Sequence, residues 1–253
     1  MKAAYLMSSI LIISVLLIYF FQAAYMSFIH VFSNMFPPFI AGSAVIVSGV
    51  SLRKYWGNPK DKFSKIWLCF TLGMGFWFLG EVAWTVYTFL FNIAVPYPSI
   101  ADLLWLVGYV PLIVALQLYI HTFRYAISKA MYVVTAAAVS IAGFVLFAFL
   151  ALPVLAVASE NDAATLIVDL VYPALDLSLF SMSFRSLLIF AKGKIAQAWM
   201  FINAAVLMVS VADILFSFTT LHGTYYNGHP LELFFHMSYL FFALGFYTHS
   251  KEF

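Results

Sequence analysis

Six carboxylates in this chain stand inside or at the edge of long apolar runs: Glu81, Asp102, Asp169, Asp176, Asp213 and Glu232. A charge placed in hydrocarbon costs roughly 2.5 to 3.5 kcal/mol on insertion scales, so such residues face a bundle interior and carry function. Buried carboxylates can coordinate a cation, accept a proton, or divide acid and base roles if their environments differ. Helical spacing says which of their neighbours share a face. Asp169, Tyr172 and Asp176 fall at i, i+3 and i+7, with Pro173 loosening the backbone between them. Glu232, His236 and Tyr239 fall at i, i+4 and i+7; Asp102, Trp105 and Tyr109 at i, i+3 and i+7. Glu81 shares its stripe with Trp84, Thr85 and Thr88, and Asp213 with Ser210, Ser217 and Thr220. The ligand-binding candidates are therefore Glu81, Trp84, Asp102, Tyr109, Asp169, Tyr172, Asp176, Asp213, Glu232, His236 and Tyr239.

Plainer roles compete at the edges. A carboxylate in the first turn of a helix meets free N–H groups and the positive end of the dipole, which alone accounts for Asp102 and Glu232. Tyrosine and tryptophan near a surface serve as interfacial anchors. His236, one turn from Glu232, reads as a hydrogen-bond partner before a metal ligand. Zinc wants three or more converging His, Cys or carboxylate ligands, yet His30, His222 and His229 fall in loops on one side and His121 and His249 on the other. No H-E-x-x-H, G-x-S-x-G or phosphate-cradling glycine loop occurs. No lysine lies mid-span, which argues against a retinal Schiff base, and no cofactor is expected. Cys69 is the single cysteine, so no intrachain disulfide can form.

The elements that must hold these acids are membrane helices. Hydrophobic residues make up 65% of the 253 and charged residues 9%, with a mean hydropathy of +1.01, against roughly 25% charged residues in soluble domains. A span needs about 20 apolar residues, and the interruptions leave eight: near 5 to 27, 31 to 52, 66 to 90, 101 to 123, 130 to 153, 164 to 190, 195 to 221 and 231 to 249. The first is longer than a signal-peptide core and lacks an obvious cleavage site, so it reads as a retained span. Spans one and five hold no acid or base and are expected to face lipid on most sides. The other six line the centre.

Lysine and arginine resist translocation and so fix orientation. Lys2, the group Arg53, Lys54, Lys60, Lys62 and Lys65, then Arg124, Lys129, Lys192, Lys194 and Lys251 all fall on one side, and Arg185 is close enough to reach it by snorkelling. The opposite loops, "SFIH", "NIAVPYPS", "SENDA" and "HGTYYNGHP", carry none. Both termini are expected in the cytoplasm of a multi-pass cell-membrane protein, with Glu160 and Lys194 on opposite sides. Nothing in the charge balance calls for a nucleic-acid partner.

The sequence also repeats itself. Trp67 precedes Glu81 by fourteen residues, and Trp199 precedes Asp213 by the same number. Each acid is followed by a proline-bearing loop (Pro98, Pro230) and an acid seven residues before a tyrosine, Asp102 to Tyr109 and Glu232 to Tyr239. Asn34 precedes Pro38 by four, as Asp169 precedes Pro173. The fold class read from this is an all-α membrane bundle of eight helices. It is built as two tandem parallel four-helix repeats, 1 to 125 and 126 to 253, related by an axis along the membrane normal.

Three stretches in order, "FLGEVAWTVYTFLFNIAVPYPSIADLLWLVGYVPL", "DLVYPALDLSLF" and "ADILFSFTTLHGTYYNGHPLELFFHMSYLFFALG", resemble the multi-span membrane input regions found ahead of GGDEF, EAL and some histidine kinase domains. Their "W-x-x-G-[DE]-x-x-W", "P-[FY]-P-S-x-A-D" and "Y-P-x-x-D" patterns match here at Trp77, Gly80, Glu81, Trp84, Pro96, Pro98, Ser99, Asp102, Tyr172, Pro173 and Asp176, and Asp213 matches as well. The resemblance covers about residues 67 to 249. It implies a sensing module that perceives a ligand in or outside the membrane and moves its last helix. No output domain follows Phe253, so the expected partners are membrane lipid, a small-molecule or cationic ligand, and a separate output or complex protein. A secondary transporter of a cation or cationic solute is the alternative, and an intramembrane hydrolase ranks below it; no enzymatic activity is expected.

Overall fold

The computed structural model describes residues 2 to 57, 61 to 156, 162 to 191 and 196 to 252. Lys60, Glu160, Lys192 and Lys194, which figure in the orientation expected above, lie outside the described residues. The described chain is all α: α1 (Lys2–Phe20), α2 (Met26–Tyr55), α3 (Lys62–Leu90), α4 (Ile100–Thr122), α5 (Lys129–Ala156), α6 (Ala163–Phe190), α7 (Ala196–Leu221) and α8 (Glu232–Glu252). The first seven are long and apolar enough to cross a membrane, which makes this a multi-pass membrane protein. α8, at 21 residues, carries histidine, tyrosine and serine through its length and is less apolar.

Local chemistry sets the boundaries. Asp61, Ser99, Ser128 and Asp162 each accept a backbone N–H at the start of α3, α4, α5 and α6. The run expected as a first span to residue 27 stops earlier. The chain turns at Phe21–Tyr25, where the Tyr25 hydroxyl donates to the Ile18 carbonyl at 2.8 Å, and α2 begins at Met26. The last turn of α3, Val86–Leu90, and a turn of α5, Phe147–Ala151, widen to π-helix, a distortion that recurs at functional sites.

Six helices close into a ring, each packed on the next: α2, α3, α4, α6, α7, α8 and back to α2. α1 rests on α8, and α5 rests on α6. The tightest pairing, α3 on α4, is made by glycines. A Cβ on Gly108 would lie 2.4 Å from Trp77, and one on Gly80 would lie 2.4 Å from Trp105, so each indole seats against the bare backbone of the facing helix. Trp77 Nε1 then donates to the Trp105 carbonyl at 3.0 Å.

The two ends of the ring differ in charge. At one end Tyr5 of α1 meets Thr248 of α8 (3.0 Å), the Lys54 ammonium donates to the Ser250 carbonyl, and Arg185 covers the Tyr132 ring at 5.5 Å. Both described termini, and every described lysine and arginine, belong to this end. Its interior is sealed by buried rings: Tyr119 lies 4.6 Å from Trp199, Trp67 lies 5.1 Å from His249, and Tyr119 is hydrogen-bonded to His249 at 2.9 Å. The six carboxylates gather at the other end.

Candidate functional site

At the acid-bearing end the ring encloses a cavity of about 100 Å³, open on one side. Each water needs about 10 to 15 Å³ of such space, so the cavity holds several waters or one small ligand. Glu81, Trp84, Asp102, Tyr109 and Tyr172 line it from α3, α4 and α6; Asp213, Glu232, His236 and Tyr239 line it from α7 and α8. The other two candidates stand behind the wall. Asp169 accepts from Tyr97 at 2.5 Å, and Asp176 accepts from Tyr109 at 2.7 Å. Tyr97 and Tyr109 line the cavity, so each of these acids is one hydroxyl away from it. Two tyrosines at this end stay outside the lining: Tyr87 packs on Phe91 and Tyr226 on His229.

A single rule governs the six acids: each accepts a tyrosine hydroxyl. Tyr239 donates to Glu81 at 2.6 Å, and Tyr172 to Asp102 at 3.3 Å. Tyr109 faces two acceptors, Asp176 at 2.7 Å and Asp213 at 3.1 Å. Tyr19 and Tyr225 donate to the two oxygens of Glu232 at 2.8 and 3.0 Å. A hydroxyl holds a buried acid by a hydrogen bond while adding no charge of its own. Among the described residues no lysine or arginine lines the cavity.

The helix-start reading of Asp102 and Glu232 holds alongside the cavity. Asp102 Oδ2 accepts the Ser99 N–H at 2.7 Å, and Asp102 N–H donates back to Ser99 Oγ, a reciprocal cap. Glu232 Oε1 accepts the Gly228 N–H at 2.8 Å. Gly228 has φ +95°, a conformation that favours glycine. Outside the membrane helices, burial together with Asp169 pushes the Tyr97 hydroxyl pKa up, and burial with Glu232 does the same for Tyr225. Both therefore remain hydroxyl donors.

The lining aromatics touch in two tiers. Near the mouth run Tyr225, Phe216, Trp84 and Trp105, with centroids 4.8, 6.3 and 6.0 Å apart in turn. Below them run Tyr172, Tyr109, Trp77 and Tyr239, at 6.2, 5.1 and 6.2 Å.

Two participants escaped the sequence reading. Tyr19 belongs to α1, which was expected to face lipid, yet it is buried against Glu232 and His236. Only its position one turn from the end of an apolar run marks it. Asn34 lines the cavity and accepts Trp84 Nε1 at 2.9 Å, and its carbonyl accepts Thr85 Oγ1 at 2.6 Å. The signal for that contact was present: Pro38, four residues on, has no N–H to offer the Asn34 carbonyl, which leaves it free for another helix.

Among the described residues no group of three or more His, Cys, Asp or Glu converges as a metal site would. Comparison of the chain with protein-family profiles, curated proteins and solved structures yields no match.

Proposed function

We propose that this chain is a membrane-embedded ligand-binding module of the sensor type, in which the acidic cavity is the binding site and faces outward. The observation that carries the reading is that four carboxylates, Glu81, Asp102, Asp213 and Glu232, line one open cavity with no lysine or arginine beside them among the described residues. Carboxylates tied off between neighbouring helices for stability alone would leave no shared void.

The proposal takes α8 as an eighth span and the chain as two tandem four-helix units. Its support is reciprocity. Glu81 of the first half is held by Tyr239 of the second, and Asp213 of the second by Tyr109 of the first. Tyr119 and His249 stand 130 residues apart, the same offset as Tyr109 and Tyr239, and bond to each other. Equivalent residues can touch only beside the axis that relates them. The basic end is then cytoplasmic by the positive-inside rule, with both termini there, and the module passes its signal to a separate partner protein. Cysteines placed at Asp162 and Lys129 will react with an impermeant thiol reagent from opposite sides in a background where Cys69 is replaced.

The test of the site is Glu81→Gln with Asp213→Asn. Ligands that raise the melting temperature of the purified protein will lose that effect in the double variant; unchanged stabilisation sinks the reading. The transporter alternative is favoured by the acids in both halves and opposed by the sealed rings at the basic end. Protein-dependent uptake of a cation into proteoliposomes decides for it.

A further inference from the structure

We infer that the ligand of this cavity is a protonated amine bearing N–H groups and an apolar body, a primary or secondary ammonium in place of a bare metal cation or a quaternary ammonium. The inference rests on the cavity being a binding site and names the class of molecule it takes.

Tyr19 Oη lies 2.8 Å from Glu232 Oε2 and 2.8 Å from His236 Nε2, with a single hydrogen to give. Glu232 also accepts the Tyr225 hydroxyl and the Gly228 N–H on its other oxygen. A carboxylate ringed by three donors accepts from all of them and donates to none. The Tyr19 proton therefore goes to Glu232, and His236 Nε2–H donates to the Tyr19 oxygen. That assigns the tautomer and leaves a lone pair on Nδ1. His236 is 1% exposed and lines the cavity, and its Nδ1 has no hydrogen-bond partner among the described residues. A buried acceptor without a donor is costly unless something supplies one.

A second shortage of donors lies across the cavity. Tyr109 brings one hydroxyl proton to two acceptors, Asp176 and Asp213, and can satisfy one at a time. The site thus offers carboxylate oxygens, a bare imidazole nitrogen and an acid pair that shares one tyrosine proton, and it suits a positive charge that brings N–H donors. An ammonium group supplies both; a quaternary ammonium supplies charge alone. A metal ion would want converging ligands that the described residues do not provide. The tier of Trp84, Trp105, Phe216 and Tyr225 above the acids gives the apolar body flat surfaces and gives the cation ring faces.

Three probes of one shape test it on the detergent-purified full chain: 2-phenylethylamine hydrochloride, its N-trimethyl derivative and 2-phenylethanol. Thermal shift against concentration will show the primary ammonium binding about tenfold or more tighter than the trimethyl form, as expected for hydrogen bonds to charged groups. The alcohol will give no shift. His236→Phe keeps an aromatic ring beside Phe32 and Phe36, which pack on His236 at 6.4 and 5.4 Å. It will weaken the primary ammonium about tenfold and leave the trimethyl form unchanged. Equal affinity for the two cations, tighter binding of the alcohol, or no shift with any probe overturns the amine assignment. Should a probe bind and Glu81→Gln with Asp213→Asn leave it unaffected, the cavity reading itself falls. If His236→Phe does not fold, the order of the three probes on the native chain still decides.

Discussion

The two acid-bearing turns of this molecule do the same job with different atoms. At the first, Ser99 caps α4 through its hydroxyl and gives its own N–H to Asp102. At the second, His229 stands where Ser99 stands, 130 residues on, and its Nδ1 accepts the Leu231 N–H at 3.2 Å, while Gly228 supplies the N–H to Glu232. The acids one layer down differ as well: Glu81 has Tyr239 to itself, whereas Asp213 shares Tyr109 with Asp176. Each turn holds one carboxylate, Asp102 or Glu232, with another one layer down, Glu81 or Asp213. Residues 126 to 253 add two further carboxylates, Asp169 and Asp176, and the cap at the second turn carries a titratable ring. The lesson is that the two turns place their acids alike and hold them with different atoms, so substitutions at the two turns have unequal effects.

The largest inequality is expected at the tyrosines. Tyr109→Phe strips the hydroxyl from two buried carboxylates, and Tyr239→Phe from one. A buried acceptor left without its donor costs about 1 to 3 kcal/mol, more when charged. We expect a loss of about 3 kcal/mol for the first and about half that for the second, read from unfolding in mixed micelles. Equal losses would mean that Asp176 draws its stability from elsewhere.

Substitutions at two helix-packing glycines are expected to follow in size. A Cβ on Gly108 meets Trp77 at 2.4 Å, and one on Gly245 meets Ile202 at 2.6 Å. Trp77 is pinned by its bond to Trp105 and by rings on two sides, while Ile202 is β-branched and buried, and the Ala198 carbonyl lies 3.1 Å from the same Cβ. Overpacking costs about 1 to 3 kcal/mol, so Gly108→Ala and Gly245→Ala are both expected at the upper end of that range. Gly108→Ala should also displace Trp77 toward the cavity and weaken ligand binding, which Gly245→Ala should not.

At the turns themselves, Gly228→Ala strains a φ of +95° and puts a Cβ 3.1 Å from Ile29, an effect of about 1 to 2 kcal/mol. Ser99→Ala removes a cap hydroxyl worth about 1 kcal/mol but leaves the backbone N–H on Asp102. If Ser99→Ala proves the more damaging, the hydroxyl and not the backbone holds the first acid.

How much of this was written in the sequence depends on what each residue has to satisfy. Helical class and the segregation of acids from bases were legible because apolar run length and the cost of burying charge act residue by residue. Candidate acids followed from the same cost, and four of the six line the cavity. Asp169 and Asp176 share the stripe of Tyr172, yet only Tyr172 reaches the void; periodicity gives the relative face but not the rotation of the helix about its axis, which α4 and α7 set by packing. Tyr19 was illegible for the opposite reason. Tyr19 is one of five hydroxyl-bearing residues in this nineteen-residue helix and no spacing singles it out; its meaning comes from Glu232, more than two hundred positions away. Asn34 lay between these cases, flagged by the proline four residues on but with its partner helix unspecified.

The smallest expected effect separates the caps by pH. Burial lowers the pKa of His229 below its ordinary value, so the folded chain favours the neutral ring, whose Nδ1 accepts the Leu231 N–H. A group whose folded pKa is depressed contributes stability above its unfolded value, about 6.5 for histidine, and that stability is lost as pH falls through the folded value. Protonation also turns Nδ1 into a donor and breaks the bond to Leu231 beside Glu232. His229→Ser installs the cap residue of the first turn, which does not titrate. Between about pH 8 and about pH 5, the melting temperature of the native chain should fall by a degree or two more than that of His229→Ser, since the ring is partly exposed and the effect is screened. Parallel curves for the two proteins would place the pH sensitivity of this end of the molecule elsewhere, and would make the exchange of serine for histidine at the second turn a substitution without consequence for the cap.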